Sequence, residues 1–178
     1  MQEGSSDFAG IPDGYKRLWT PHRVVYLEGA RHDGNPETCP FCSAYRKTDE
    51  EGLIVYRGDL SYVVMNLYPY NSGHTLVCPY RHIATYDLAS SDEILEMGLL
   101  LQKAILVSKR VLGCEGFNIG INQGRVAGAG IAGHLHQHIV PRWAFDSNFF
   151  PIIARTKALP KLIEQVRCDL QRGWDDLV

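Results

Sequence analysis

The sequence predicts an α+β domain in which antiparallel strands flank one long inserted helix. Three observations carry that prediction. Short apolar runs separated by turn residues occupy residues 53–79, and residues 91–112 repeat apolar side chains at helical spacing. Strand-like runs then return on either side of a glycine-rich stretch. At 178 residues the chain is long enough for one domain with a substantial core. Its 45% hydrophobic and 21% charged content is ordinary for a soluble globular protein.

Residues 1–38 read as an N-terminal arm: a polar tail to residue 10, then a short helix turning extended around Pro21, then a loop rich in Gly, Asp, Asn and Pro. Cys39-Pro40-Phe41-Cys42 opens the main domain, residues 39–143. Leu53–Arg57 and Ser61–Leu67 read as two strands joined by a Gly58-Asp59 turn, and His74–Pro79 as a third. Ser90 with Glu93 forms a capping-box signature. The helix it opens has Ile94, Met97, Leu101, Ala104, Ile105, Ser108, Val111 and Leu112 as its stripe, and Gly113 as its stop. Phe117–Asn122 is a fourth strand, Gly124–Gly133 a glycine-rich loop, and a histidine-bearing strand follows. Residues 144–178 form a C-terminal extension whose helix, Pro160–Trp174, presents Leu162, Ile163, Val166 and Leu170.

The totals exclude several classes. A net charge of −2 leaves no basic footprint for a nucleic-acid polymer. No apolar run approaches the ~20 residues of a membrane helix, and the start lacks the basic-then-apolar order of a signal peptide. The five cysteines are odd in number, with only Cys39 and Cys42 close together. That usage predicts a reducing, cytoplasmic setting.

The chemistry gathers at His134, His136 and His138, three of the seven histidines. On a strand this alternation would place all three imidazoles on one face, with Leu135 and Ile139 turned into the core and Pro141 ending the pairing. Such a row can bind metal, accept a phosphoryl group or shuttle protons. Cys39 and Cys42 have a common zinc spacing, and His82 with one histidine of the row would complete a closed Cys₂His₂ site. The alternative is two free thiols at a turn. Asn122 and Gln123 lead into a loop whose glycines let backbone N–H groups cradle phosphate oxygens beside a nucleophile. No Walker-type Gly-Lys-Ser/Thr is present. Asn66, at a strand end among Tyr68 and Tyr70, suits hydroxyl recognition beside rings that can stack on a base, whereas His74 reads as structural.

His134-x-His136-x-His138 followed by Ile139-Val140-Pro141-Arg142, with Asn66 through Gly73-His74-Thr75-Leu76-Val77-Cys78-Pro79, resembles the histidine-triad superfamily of nucleotide hydrolases and transferases. The resemblance covers roughly residues 39–143, and the wording of both motifs, with Trp143 after the triad, looks most like the diadenosine tetraphosphate phosphorylase branch. It implies a five-stranded antiparallel sheet with a long helix against it, in a homodimer or homotetramer. It implies cleavage of a dinucleoside polyphosphate, diadenosine tetraphosphate foremost, through a nucleotidyl-histidine on His136. In that scheme His138, Asn122 and loop N–H groups, with Gln123, Gly128 and Gly130, hold the phosphates, while Asn66 meets the ribose and Trp143 belongs to the nucleotide site. Orthophosphate or water would accept the nucleotidyl group. Hydrolysis of phosphoramidates or adenylated conjugates, and a zinc-stabilised nucleotide-binding protein, are the alternatives. Zinc-bearing members imply Cys39, Cys42, His82 and His134 as the metal ligands.

Two positions depart from the family pattern. Gln137 replaces an apolar residue on the face opposite the histidines, which predicts a wet or hydrogen-bonded patch there. Gly130-Ile131-Ala132-Gly133 lacks the side-chain donor that many members carry before the triad, leaving the role to backbone N–H groups, Gln123 or Arg125.

Overall fold

A computed structural model describes residues 35–144, 146 and 160–177. The helix and arm expected over residues 15–27 lie outside them. Five strands form one antiparallel sheet in the order β1-β2-β3-β5-β4. They are β1 (Ile54–Arg57), β2 (Ser61–Met65), β3 (Thr75–Pro79), β4 (Gly116–Ile121) and β5 (Gln137–Arg142). Two short helices precede the sheet, α1 (Pro40–Ala44) and α2 (Asp49–Gly52). The long helix α3 (Ser91–Leu112) connects β3 to β4, and α4 (Ile163–Asp175) closes the chain. No helix among the described residues is long and apolar enough to cross a membrane.

The predicted hairpin is present, and its turn is tied to α3: the amides of Asp59 and Leu60 both donate to the Glu96 carboxylate at 2.7 Å. The capping box forms as expected, with Ser90 N donating to Glu93 Oε2 and Glu93 N to Ser90 Oγ, and Gly113 ends α3 at φ 61°. The buried stripe of α3 differs from the expected one. It runs through Met97, Leu100, Ala104 and Val107, because the sheet and α4 flank the helix on two sides and rotate its buried face. Leu162 precedes the first turn of α4 and is exposed, so the apolar face of that helix is Val166, Leu170 and Trp174 instead. The sequence reading passed over α1 and α2. Pro40 supplies the fixed φ of a first helical turn, and the Thr48 side chain accepts from Glu51 N.

The two faces of the sheet bury different chemistry. On one, Val63, Met65, Val77, Leu135 and Ile139 pack with α3 and α4. On the other, Tyr62, Val64, Leu76 and Cys78 pack under Cys39, Phe41 and Cys42. The histidines belong to the second face. The regular strand begins only at Gln137, so His134 and His136 lie in the extended approach to it, which Leu135 N anchors by donating to the Ile83 carbonyl at 2.6 Å. Pro141 does not end the pairing, since the β4 ladder continues opposite it at Phe117. Pairing with β3 stops at Ile139, and the Pro141 carbonyl accepts from Asn71 Nδ2 instead of a strand. The missing N–H of the proline thus costs no ladder bond.

Candidate active site and metal centre

The approach to β5 divides the three imidazoles between two centres. His134 is buried, with its ring beside the α1 knuckle: Nδ1 lies 3.4 Å from Cys39 Sγ and 3.5 Å from Cys42 Sγ. His82 Nδ1 lies 3.3 Å from Cys42 Sγ. The four ligand atoms of Cys39, Cys42, His82 and His134 all fall within 4.8 Å of one another. Tetrahedral zinc bonds of about 2.3 Å to sulfur and 2.0–2.1 Å to nitrogen place S and N about 3.5 Å apart, so these contacts fit such an ion. His134 Nε2 is 2.9 Å from the Pro79 carbonyl, to which it donates. That bond puts the proton on Nε2 and leaves the Nδ1 lone pair facing the sulfurs, the arrangement a metal-ligating histidine requires. Spacing alone could not select among the histidines of the row, and the structure selects His134.

His136 is buried, and its Nδ1 donates to the His134 carbonyl at 2.8 Å. The ring is thereby held as the Nδ1–H tautomer with the Nε2 lone pair free. Burial lowers its pKa from the ordinary 6.5, against the opposing effect of the carbonyl bond, so the ring is neutral at pH 7. Phe41 packs against it with ring centroids 4.9 Å apart and also meets the edge of His134 at 5.5 Å.

His138 lies at the start of β5, paired with Leu76 and Gly120. Its Nδ1 is 2.9 Å from Nε2 of His74, a fully buried residue. Tyr70 N donates to His74 Nδ1 at 3.0 Å, shorter than the Asn66 Nδ2 contact of 3.3 Å at the same atom. A backbone N–H can only donate, so Nδ1 of His74 accepts and its proton sits on Nε2. The chain of bonds then makes His138 Nδ1 an acceptor and leaves His138 Nε2–H as a donor. Burial holds the His138 pKa down to about 4, so this donor is a neutral ring. Tyr70 stacks on His138 at 5.6 Å, with an interplanar angle of 19°. His74 is structural, as expected, yet it also sets the tautomer of a site residue. Its place directly after Gly73 was the available signal. Phe41 had none beyond sitting between the two cysteines.

The remaining expected residues are less uniformly placed. Asn66 ends the β2 segment, where its Oδ1 accepts from Tyr68 N and its amide faces the His74 ring. Asn122 is half-buried just past β4, and the loop after it turns through left-handed Gly128 (φ 87°) and reaches half-buried Gly130. The Gln123 side-chain oxygen accepts from Tyr86 N, which fastens the start of the loop. Trp143 stands apart from the histidines within this chain. It lies five residues beyond His138, about 16 Å along an extended chain, and its indole donates to the Leu112 carbonyl at the end of α3. By the alternation of β5 it belongs to the helix face, so within one chain it does not join the histidines. Gln137 is half-buried on that same helix face, between Val77 and Ile121.

A Cys₂His₂ cluster behind two neutral imidazoles, one with an open Nε2 lone pair and one presenting an Nε2–H, on one face of a five-stranded antiparallel sheet, defines the class. The HIT domain family profile matches residues 47–144, more than half of the chain, and this chain is a member of the histidine-triad family of enzymes. Within that family it is 44% identical over 170 residues to the AP-4-A phosphorylase of Mycobacterium tuberculosis, covering 93% of this chain and 87% of that one. It is 32% identical over 93 residues to the bis(5'-adenosyl)-triphosphatase of Dictyostelium discoideum, covering 52% and 62% of the two chains. Among solved structures, a hypothetical histidine triad nucleotide-binding protein of Sulfolobus tokodaii superposes with TM-score 0.65 at 29% identity, over 78% of this chain and 93% of that one. A zinc-bound histidine triad family protein of Mycobacterium smegmatis gives 0.64 at 22% identity, over 80% and 97%, a likeness of fold.

Proposed function

We propose that this enzyme cleaves dinucleoside polyphosphates, diadenosine tetraphosphate foremost, by phosphorolysis through a nucleotidyl-His136 intermediate. The observation that carries the reading is the His136 tautomer. With Nδ1–H committed to the His134 carbonyl at 2.8 Å, the Nε2 lone pair of a neutral ring is the free nucleophile. The 44% identity to a mycobacterial AP-4-A phosphorylase over most of both chains supports this substrate class.

In the first step Nε2 attacks an α-phosphorus, a P–N bond forms, and the bond from that phosphorus to the bridging oxygen breaks. For a tetraphosphate the leaving group is ATP. The imidazolium so formed keeps Nδ1–H on the His134 carbonyl, which steadies the developing charge. His138 Nε2–H donates to the non-bridging oxygens, with Asn122 and the N–H groups of the Gly128–Gly130 stretch as further donors. Asn66 meets the ribose. In the second step an oxygen of orthophosphate attacks the same phosphorus, the P–N bond breaks, and ADP departs from a neutral His136. Water in place of orthophosphate would yield AMP.

We further propose that Cys39, Cys42, His82 and His134 hold one zinc ion. With four protein ligands the site is closed, and the ion when bound contributes fold stability rather than an open position for substrate. The enzyme acts as a homodimer or homotetramer, a reading supported by edge strand β4, where Asn118, Ile119 and Gly120 are exposed. Five unpaired thiols support a reducing, cytoplasmic setting.

Incubation with diadenosine tetraphosphate, with and without orthophosphate, tests the reading. ADP plus ATP formed only with orthophosphate supports it. AMP in both arms makes the enzyme a hydrolase, and binding without turnover makes it a binding protein. His136→Ala abolishes turnover while the circular dichroism spectrum stays that of the parent, and retained turnover overturns the mechanism.

A further inference from the structure

The loop between β2 and β3 is held at its far end by residues that the triad chemistry does not use. Asn71 Nδ2 donates to Asp146 Oδ2 at 2.7 Å and to the Pro141 carbonyl at 3.1 Å, while Asn71 Oδ1 accepts from Ser72 N. The Asp146 carboxylate is itself nearly buried, its side chain 9% exposed. It also accepts from Arg142 Nε and a terminal Arg142 nitrogen, at 2.6 and 2.7 Å, and from Trp143 N at 3.1 Å. Arg142 in turn donates to Asn118 Oδ1 on β4. Asp146 lies beyond residues 47–144, the span that matches the HIT domain.

The loop so fastened carries Tyr70, whose amide fixes the tautomer of His74 and through it that of His138. The Asn71 carbonyl also closes the loop by accepting from His74 N at 3.2 Å. Between Asp146 and the donor proton of His138 there are thus four links: Asn71, the Tyr70 amide, His74 and the His138 ring. The first is a charge-assisted bond to a carboxylate of low exposure, the kind that holds a backbone position firmly. The same loop carries a second local requirement. Gly73 has φ 74°, and a Cβ there would run into Leu112, so only glycine fits at the neck of this loop.

We propose that Asn71 and Asp146 are positioning residues that latch the β2–β3 loop, holding the Tyr70 amide on His74 and so keeping His138 as the Nε2–H donor toward phosphate. The latch makes the first residues of the C-terminal extension part of the active-site architecture. It deepens the proposed nucleotidyl transfer and rests on that reading for its kinetic consequence alone.

The tautomer can be read without substrate, from the ¹⁵N shifts of the histidine rings in the full chain. In the parent, His138 shows a protonated Nε2 and an accepting Nδ1. In Asn71→Ala the Tyr70 amide loses its fixed position and His138 shows a mixture of tautomers. With diadenosine tetraphosphate and orthophosphate, kcat then falls roughly tenfold to a hundredfold, the scale of a misplaced catalytic group, with KM little changed. Asp146→Leu removes both acceptor oxygens at similar side-chain shape and gives the same pattern if Asn71→Ala folds poorly. Unchanged ¹⁵N shifts and unchanged kcat in a folded variant overturn the latch. A parent that shows the predicted tautomer yet turns over no dinucleoside polyphosphate overturns the substrate reading and leaves the latch standing.

Discussion

Glu93 offers a stability test whose size follows from the structure. Its side chain is 6% exposed at the first turn of α3, and its carboxylate accepts from Arg81 Nε at 2.9 Å, from a terminal Arg81 nitrogen at 2.7 Å and from Ser90 N at 2.7 Å. These bonds, the Arg81 pair first, hold its pKa down from 4.5 to about 2. At about 1.4 kcal/mol per pH unit, that depression corresponds to an upper bound of about 3 kcal/mol of folding free energy. Arg81 is 56% exposed, so solvent screening reduces the expected contribution to about 1–2 kcal/mol. The sign follows from the depressed pKa: the stabilisation is fully present above the unfolded value of about 4.3 and is lost as pH falls through about 2. Glu93→Gln therefore lowers the denaturation midpoint at pH 7, and the gap between variant and parent narrows as pH falls below about 4. Urea titrations of both proteins at a series of pH values measure that gap. A gap that is absent at pH 7, or that widens in acid, would refute the assignment of the stability to this carboxylate.

Three further outcomes are expected. His74→Phe keeps a ring in the buried slot but removes the donor to His138 Nδ1, so kcat falls at least tenfold, roughly, in a protein whose melting is little changed; steady-state kinetics with calorimetry decide it. Gly173→Ala places a Cβ against Val111 and crowds Val107 where α4 crosses α3, lowering stability by about 1–3 kcal/mol, and an unchanged melting temperature would show that the helices can part freely. His134→Ala purified without chelator carries less than one zinc per chain, and its activity falls although the ring is directed at the cysteines rather than the nucleophile; metal analysis beside a turnover assay checks both parts.

Much of the architecture was legible because local signals agreed with tertiary packing. The Ser90–Glu93 box and Gly113 bracket α3 in the structure as in the sequence, and the alternation of His134, His136 and His138 assigned them to one face even though the regular strand starts later. Other features depended on contacts that no periodicity encodes. Which residues of α3 are buried depends on α4 arriving from the far end of the chain, so Leu100 and Val107 displaced Leu101 and Ile105 from the centre of the stripe. Trp143 reads as a nucleotide contact by its place after the triad, but strand alternation turns it to the helix face. The latch at Asn71 joins residues 75 apart in sequence and carries no local signature.

The triad is less a row of equivalents than a division of labour imposed by what each ring's second nitrogen meets. His134 gives Nε2 to the Pro79 carbonyl and so turns Nδ1 to the sulfurs. His136 gives Nδ1 to the His134 carbonyl and so frees Nε2. His138 receives on Nδ1 from His74 and so presents a proton on Nε2. In the proposed mechanism these three identical side chains serve as ligand, nucleophile and donor, with no ionised neighbour needed to tell them apart. Because the His134 carbonyl sits between the metal cluster and His136, whatever fixes the His134 backbone also fixes the direction of the nucleophilic lone pair. The proposed Cys₂His₂ metal centre, though outside the chemistry, can therefore still set its geometry, which is a physical reason for the cluster residue and the proposed nucleophile to lie two residues apart in the extended approach to β5.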